Sequence, residues 1–194
     1  MVLNGGTLAS IDPHPYVDPD TNQKYLYIVC DKAAGQVGIA VMEMENWLKP
    51  KWDTFRFIAH PCYYTVEDYL KFNRDNERVA RVTYENSGNT INEGPAVMKH
   101  NGKYYLSFSV NSYGTSDYQI GQAVADSPLG PFRKLTEEEG GLLLSALAVE
   151  SQPAGETSTQ APSGTGHHSF VTAGNQTFIV YLSLIHISEP TRLA

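Results

Sequence analysis

The chain has 194 residues, which is long enough to bury one sizeable hydrophobic core. Hydrophobic residues make up 41% of the sequence and charged residues 18%, as in an ordinary globular protein. The formal net charge of −7 argues against nucleic acid as a partner, because nucleic-acid binding requires clustered Lys and Arg. No run of about 18 apolar residues is present, so a membrane is not an expected partner either.

Short apolar or alternating runs, separated by Gly, Pro, Asn and Asp, predict β-strands along the first part of the chain. Strands are expected at 11–17, at 24–29, where tyrosines recur, and at 37–42. The stretch that follows, 45–90, is irregular, and one or two helical turns are expected at 66–72. The first unit is therefore expected to be a strand, a tight turn and two further strands.

The same pattern returns in a second unit. Strands are expected at 92–98 and 103–108, and the Asn101-Gly102 pair between them is the strongest hairpin signal in the chain. A third strand is expected at 118–124, and a long insertion follows at 136–163. That insertion becomes rich in Ser, Thr, Pro and Gly from residue 151 onward, which is typical of a surface loop.

A third unit begins near the end of the chain, with strands expected at 166–171 and 178–181. The units start 81 and 74 residues apart, counted between Asp12, Glu93 and His167. This spacing exceeds the common propeller blade of about 40–50 residues, and the two insertions explain the excess. Repeated antiparallel sheets predict an all-β fold of the β-propeller type. An unrelated sandwich with similar hairpins is the alternative that the repeat alone leaves open.

Each unit opens with an ionisable residue at positions that the repeat makes equivalent, namely Asp12, Glu93 and His167. The first strand of each propeller blade lines the central axis, so equivalent positions in successive blades are expected to converge. Two carboxylates and an imidazole suit glycoside hydrolysis, which needs one protonated carboxylic acid and one ionised carboxylate. The alternatives are a turn residue for Asp12, a strand-edge charge for Glu93 and a hydrogen-bonded structural histidine for His167.

Five segments, taken in order, carry a resemblance to a known family. They are Ile11-Asp12-Pro13, Glu93-Gly94-Pro95, Tyr118-Gln119-Ile120-Gly121-Gln122-Ala123, Ser127-Pro128-Leu129-Gly130-Pro131-Phe132 and Gly164-Thr165-Gly166-His167-His168-Ser169. The ordered set resembles glycoside hydrolase family 43. The resemblance implies a partial five-bladed β-propeller, with about three of the five blades present. It also implies hydrolysis of arabinose- or xylose-containing plant polysaccharides with inversion.

The resemblance further implies a role for each residue at the predicted axis. Glu93 corresponds to the general acid of the family. Asp12 corresponds to the carboxylate that orients the acid and favours its protonated form. His167 corresponds to a histidine near the axis, beside a bound calcium ion or its water shell.

Three further residues are candidates for substrate binding. Tyr16 and Tyr113 are candidates for stacking on a sugar ring, although core or rim packing is the interpretation that the sequence favours. Asn111 follows the second strand of the second unit and is expected to contact sugar hydroxyls. The expected partner is therefore an oligo- or polysaccharide.

The beginning of the chain departs from the family. The family's general base is an Asp in the first blade, but only 11 residues precede Asp12 and none of them is Asp. The chain is therefore expected to begin about two blades late and, without the base, not to turn over substrate. Residues 1–10 show no signal peptide, and localisation stays open between secreted, periplasmic and cytoplasmic.

The end of the chain departs from the repeat. Residues 182–194 abandon the strand pattern and resemble a translated sequencing adapter, which should be excluded from fold reasoning. The domain prediction is therefore a partial propeller over 1–181 and a non-native tail over 182–194. A genuine strand and turn is the alternative.

The expected parent enzyme is an α-L-arabinofuranosidase or a β-xylosidase. A carbohydrate-binding propeller that has lost catalysis is one alternative. A related five-bladed enzyme acting on sucrose or fructans is another, although Glu93-Gly94-Pro95 favours family 43 because those relatives usually have Glu-Cys at this position.

Overall fold

The computed structural model describes residues 2–3, 6–7, 10–32, 36–145 and 163–184. Strands dominate this part of the chain, which confirms the predicted all-β class. Two short strands, β1 (Val2–Leu3) and β2 (Gly6–Thr7), pair antiparallel ahead of the first sheet. Within the described ranges, no helix combines the length and apolar character needed to cross a membrane.

The first sheet begins with the three strands that the sequence predicts. Its strands are β3 (Ser10–Val17), β4 (Lys24–Lys32), β5 (Gln36–Asn46), β6 (Lys49–Pro50) and β7 (Arg56–Ala59). They pair antiparallel in the order β3-β4-β5-β6, and β7 also pairs with β5. A 3-10 helix, Trp52–Thr54, separates the two short outer strands. The stretch that was expected to be irregular, 45–90, therefore supplies the outer edge of this sheet.

The helix α1 (Val66–Asp75) is longer than the one or two turns expected at this place. It begins at a capping box, in which the Thr65 hydroxyl accepts from the Asp68 N–H at 3.0 Å and the Asp68 carboxylate accepts from the Thr65 N–H at 3.2 Å. It ends at Asn76, which has a left-handed φ of 55°. The Thr-x-x-Asp spacing is the sequence signal for this helix.

The second sheet repeats the arrangement of the first. Its strands are β8 (Asn92–His100), β9 (Lys103–Val110), β10 (Gln119–Ala125), β11 (Arg133–Lys134) and β12 (Leu142–Leu144). They pair in the order β8-β9-β10-β11, and β12 also pairs with β10. Asn101 and Gly102 both have positive φ, 48° and 74°, as the two central residues of a type I′ turn require. The predicted hairpin is therefore confirmed.

The third unit contributes one hairpin, formed by β13 (Ser163–Ala173) and β14 (Gln176–Leu184). Within the described ranges, the chain thus supplies two multistranded blades and two strands of a third. β14 runs three residues into the predicted tail and ends at Leu184, opposite Ser163. Residues 185–194, and residues 146–162 of the second insertion, lie outside the described ranges, so the tail assignment stays a prediction.

The main hydrophobic core lies between the first two sheets. It contains Tyr25 and Tyr27 of β4 and Leu106 and Phe108 of β9, all of them buried. The Tyr27 hydroxyl is not left unpaired in this core, because it donates to the Pro128 carbonyl at 2.6 Å. Alternation along β4 turns the intervening residues to the opposite face, where a smaller apolar cluster forms.

A buried ion pair supports the start of β8. Lys134 and Glu85 pair with each other and have almost no exposed side-chain surface. The Lys134 ammonium also donates to the His60 carbonyl at 2.7 Å and to Asn92 Oδ1 at 2.8 Å. The Glu85 carboxylate accepts from the Cys62 N–H at 2.6 Å. Burial lowers the pKa of Lys134, and the adjacent Glu85 carboxylate opposes that shift.

We expect Lys134→Met to lower the free energy of unfolding by about 3–5 kcal/mol, because the substitution leaves Glu85 buried without its counter-charge. Lys103→Met is a matched control, since Lys103 pairs with Asp126 at the surface and such pairs contribute less than about 1 kcal/mol. Urea unfolding of both variants measures the difference. Equal losses would show that the buried pair does not support the fold.

Candidate functional site

Each of the three innermost strands carries a β-bulge at the same place. Asp12, Gly94 and His167 have left-handed φ values of 51°, 56° and 46°, and the pairing register shifts at each of them. A bulge interrupts the ladder and redirects nearby side chains. Left-handed conformations are uncommon for Asp and His, and strained residues of this kind cluster at functional sites.

The position of the second bulge shows that the sequence repeats were aligned one residue out of register at Glu93. Gly94, and not Glu93, is the structural equivalent of Asp12 and His167. Glu93 lies one residue before the bulge and pairs with Ser109 of β9. The sequence misassigned this position because a bulge adds one residue to a strand without leaving a mark in the alternation of polar and apolar residues.

Asp12 extends from β3 to the bulge of β8. Its Oδ2 accepts a hydrogen bond from the Gly94 N–H at 3.0 Å, and its Oδ1 lies 3.9 Å from His167 Nε2. Because Gly94 directly follows Glu93, standard bond lengths keep the Asp12 and Glu93 carboxyl groups within about 10 Å of each other. A Cβ on Gly94 would lie 3.4 Å from the His167 Cα, so β13 packs against the same bulge. The structure therefore brings the three residues together.

Side chains of neighbouring strands pair further N–H groups at these junctions. The Val97 N–H donates to His14 Nε2 at 3.1 Å, which joins β8 to β3. The His167 N–H donates to Ser109 Oγ at 2.7 Å, which joins β13 to β9. Each innermost strand has one edge that no β-strand partner covers, and such an edge leaves N–H groups to be paired in another way.

Glu93 lies at the boundary of two cavities. Its Oε1 accepts a hydrogen bond from the Tyr118 hydroxyl at 2.7 Å, and the residue is largely buried. One cavity has a volume of about 500 Å³ and is lined by Glu93, Tyr118 and His167, among others. The other has a volume of about 470 Å³ and extends along 86–91 to Asn111. Tyr113 lines both cavities, and 76% of its surface is exposed. The predicted acid and one predicted stacking residue are therefore brought together.

Asn111 lines the second cavity, but its side chain is engaged by the protein. The Asn111 amide nitrogen donates to the Asp117 carbonyl at 2.8 Å and to the Tyr84 carbonyl at 3.4 Å. Its Oδ1 accepts from the Asn86 N–H at 2.9 Å. These bonds use both amide hydrogens, so Asn111 holds the neighbouring loops, and its predicted contact with sugar hydroxyls would be made by Oδ1 as an acceptor.

The prediction that Tyr16 stacks on a sugar ring is not supported by its position. Tyr16 lies four residues beyond the bulge of β3, and its ring packs against Tyr25, Tyr27 and Tyr104 at centroid distances of 6.3–6.4 Å. Its hydroxyl is buried, and no described residue pairs with it. The alternative of core packing therefore describes Tyr16, because strand alternation turns its side chain toward the interface between the two sheets.

Sequence reasoning missed two neighbours of Glu93, namely Tyr118, whose hydroxyl donates to it, and Ser109, which pairs with it in the register of β8 and β9. Tyr118 belongs to a segment quoted for the family resemblance, but nothing in a single sequence indicates that its hydroxyl reaches Glu93. Ser109 alternates with Ser107 in an otherwise apolar strand. Hydroxyls at alternate positions at the end of the second strand of this unit were the available signal for polar partners near Glu93.

The residues around His167 do not form a calcium cage. Calcium takes six to eight oxygen ligands, whereas His167 offers a nitrogen and one oxygen of Asp12 is already used by the Gly94 N–H. Among the described residues, no group of three or more His, Cys, Asp or Glu side chains could hold a metal ion. The prediction of calcium at the axis therefore depends on ligands other than these side chains, and no catalytic step is assigned to it.

The sequence matches the model of glycosyl hydrolases family 43 over residues 3–192. The chain belongs to glycoside hydrolase family 43. A solved thermostable family 43 glycoside hydrolase is 30% identical to it, with a TM-score of 0.64 over 89% of this chain and 48% of that one. An endo-1,4-beta-xylanase from Bacteroides thetaiotaomicron is 24% identical, with a TM-score of 0.62 over 93% of this chain and 50% of that one.

A curated relative is the beta-D-galactofuranosidase xynD of Aspergillus niger. It is 30% identical over 100 residues, which is 52% of this chain and 25% of that protein. The chain thus spans about half the length of the solved structures and a quarter of the curated relative. The shared architecture confirms the prediction of a partial five-bladed β-propeller.

His168 is a buried, neutral histidine beside this family 43 site. The Ser107 hydroxyl donates to the Ala96 carbonyl at 3.1 Å, so it accepts from His168 Nε2, which lies 2.6 Å away and carries the proton. Burial lowers the pKa of His168 to about 4, and the imidazoles of His14 and His167 add to the effect. The folded protein therefore favours the neutral ring.

This histidine gives a pH-dependent stability prediction. A histidine whose pKa is lower in the folded protein than in the unfolded chain stabilises the fold at pH values above its ordinary pKa of 6.5. That stabilisation is lost as the pH falls from 6.5 through about 4. We expect the free energy of unfolding of the wild type to fall between pH 6.5 and pH 4 by on the order of 3 kcal/mol more than that of His168→Gln. Gln keeps a donor near Ser107 but does not titrate, and all carboxylates are common to both proteins. Parallel pH profiles would contradict the assignment.

Proposed function

We propose that this site takes part in hydrolysis of O-glycosidic bonds in arabinose- or xylose-containing polysaccharides, with inversion at the anomeric carbon. The observation that carries the proposal is the placement of the Glu93 carboxyl between two cavities, beside the bulge that the Asp12 carboxylate holds. A carboxylic acid between two spaces large enough for sugar rings is placed to protonate the oxygen that links them.

Glu93 is the proposed general acid. Its carboxyl hydrogen would be transferred to the leaving oxygen as the glycosidic bond breaks. Asp12 is the proposed partner, because its carboxylate accepts from the Gly94 N–H and so lies beside the segment that carries Glu93. Tyr113 is the proposed sugar-stacking residue, since its ring is exposed and borders both cavities.

The general base of the proposed reaction lies elsewhere. Inversion requires a carboxylate that activates water about 6.5–9.5 Å from the acid. Among the described residues that line the two cavities, Glu93 is the one carboxyl group. We therefore infer that the 194-residue chain by itself does not turn over substrate, and that the base belongs to a five-bladed protein containing this segment.

A furanoside is the favoured sugar. The Aspergillus niger relative is named as a beta-D-galactofuranosidase, and galactofuranose, like arabinofuranose, has a five-membered ring. This supports an α-L-arabinofuranosidase ahead of a β-xylosidase.

A non-catalytic carbohydrate-binding propeller is the second candidate function. It is favoured by the cavity linings, because the described lining residues include no carboxyl group besides Glu93. Binding of arabino-oligosaccharides without release of arabinose by a five-bladed protein would select the second candidate.

The acid role predicts a dependence on the leaving group. In a five-bladed protein that contains this segment, Glu93→Ala should lower kcat/KM for natural oligosaccharides by about 10²–10⁴-fold, because the sugar leaving group needs a proton. Hydrolysis of a dinitrophenyl glycoside should fall far less, because dinitrophenolate leaves without one. Asp12→Asn should also slow the natural substrate, because Asp12 holds the Gly94 N–H directly beside Glu93.

The measurement is kcat/KM for both substrates across pH, with Lys103→Met as a surface control. Equal losses on both substrates at every pH would mean that Glu93 binds sugar or supports the fold. The acid role would then belong to another residue.

A further inference from the structure

Tyr118 is a buried tyrosine whose hydroxyl contacts the Glu93 carboxyl. It directly precedes β10, its side chain is 4% exposed, and its hydroxyl donates to Glu93 Oε1 at 2.7 Å. Among the described residues, Tyr118 is the one hydrogen-bond partner of the Glu93 side chain. Burial raises the pKa of Tyr118 far above the physiological range, so the phenol keeps its proton and remains a donor.

Gly166 of β13 provides the space for the Tyr118 ring. A Cβ on Gly166 would lie 2.1 Å from Cε1 of that ring, which is far inside van der Waals contact. Gly166 is not among the residues with positive φ, so the backbone conformation does not require glycine here. The absence of a side chain is needed for close packing, and the ring is confined against the backbone of the third blade.

Ser109 belongs to β9, which lies between β8 and β10 in the second sheet. It pairs with Glu93 in the register of β8 and β9, and it is fully buried. Its Oγ accepts from the His167 N–H at 2.7 Å, so Ser109 joins β13 to the strand beside Glu93. The phenol of Tyr118 thus contacts Glu93 of β8 and packs against Gly166 of β13.

We propose that Tyr118, packed against Gly166, is a positioning residue that fixes the Glu93 carboxyl at the boundary of the two cavities. The inference deepens the proposed function and rests on it, because a general acid must be held at the leaving oxygen. A carboxyl oxygen accepts from a phenol whether or not the group carries a proton, and only a Glu93 rotamer that keeps Oε1 at this distance preserves the bond. The third blade, through Gly166, thereby controls the acid of the second.

The test is a rotamer measurement on the 194-residue chain. Three-bond couplings across χ1 of Glu93, measured by NMR, report whether its side chain keeps one rotamer or averages over several. The wild type should show one rotamer. Tyr118→Phe, which removes the hydroxyl and keeps the ring, should show averaged couplings. Gly166→Ala, which keeps the hydroxyl and displaces the ring, should show the same loss.

Tyr104→Phe is the matched control, because Tyr104 is also a buried tyrosine whose hydroxyl donates to a carboxylate, that of Asp18. It should leave the Glu93 couplings unchanged. A single Glu93 rotamer in folded Tyr118→Phe would overturn the proposal, as would averaging of equal size in Tyr104→Phe. Should Tyr118→Phe not fold, Gly166→Ala decides in the same way. Because no turnover is measured, the result is independent of whether Glu93 is the general acid.

Discussion

The hydrogen bond from the Gly94 N–H to the Asp12 carboxylate is the interaction on which the site depends. The innermost strand of a blade has one edge without a strand partner, and a bulge there leaves an N–H directed at the neighbouring blade. Asp12 pairs that N–H and so joins the first blade to the second. The same contact places a carboxylate beside Glu93. One hydrogen bond therefore contributes both to the contact between the blades and to the placement of the two carboxyl groups, so a change at Asp12 affects both.

The rest of the molecule holds that contact in place. The buried Lys134–Glu85 pair fixes Asn92, the residue before Glu93, so the start of β8 cannot move freely. At the other end of the strand, Lys99 pairs with the buried Asp18 and again joins the second blade to the first. These polar contacts between blades are buried, and burial is what makes the loss of either partner costly.

The sequence was sufficient for the repeats, the hairpin turns and the convergence of Asp12, Glu93 and His167, because these follow from local patterns recurring in order. The sequence did not predict that Gly94, and not Glu93, is the equivalent of Asp12 and His167. The extra residue of a bulge cannot be recognised from the alternation of polar and apolar residues. Tyr16 was misassigned because an aromatic residue next to a site and one in a core look alike in sequence. Tyr118 was missed because its contact with Glu93 depends on how three strands pack together, which a single sequence does not specify.

The bond between Asp12 and Gly94 can be measured directly by amide hydrogen exchange of the 194-residue chain. Asp12→Ala should speed exchange of the Gly94 N–H by at least about tenfold, because the lost acceptor is charged. The Val97 N–H, which His14 pairs, should keep its protection and serves as the internal reference. Unchanged protection of Gly94 in Asp12→Ala would contradict the account, because the first blade would then not hold the segment that carries Glu93.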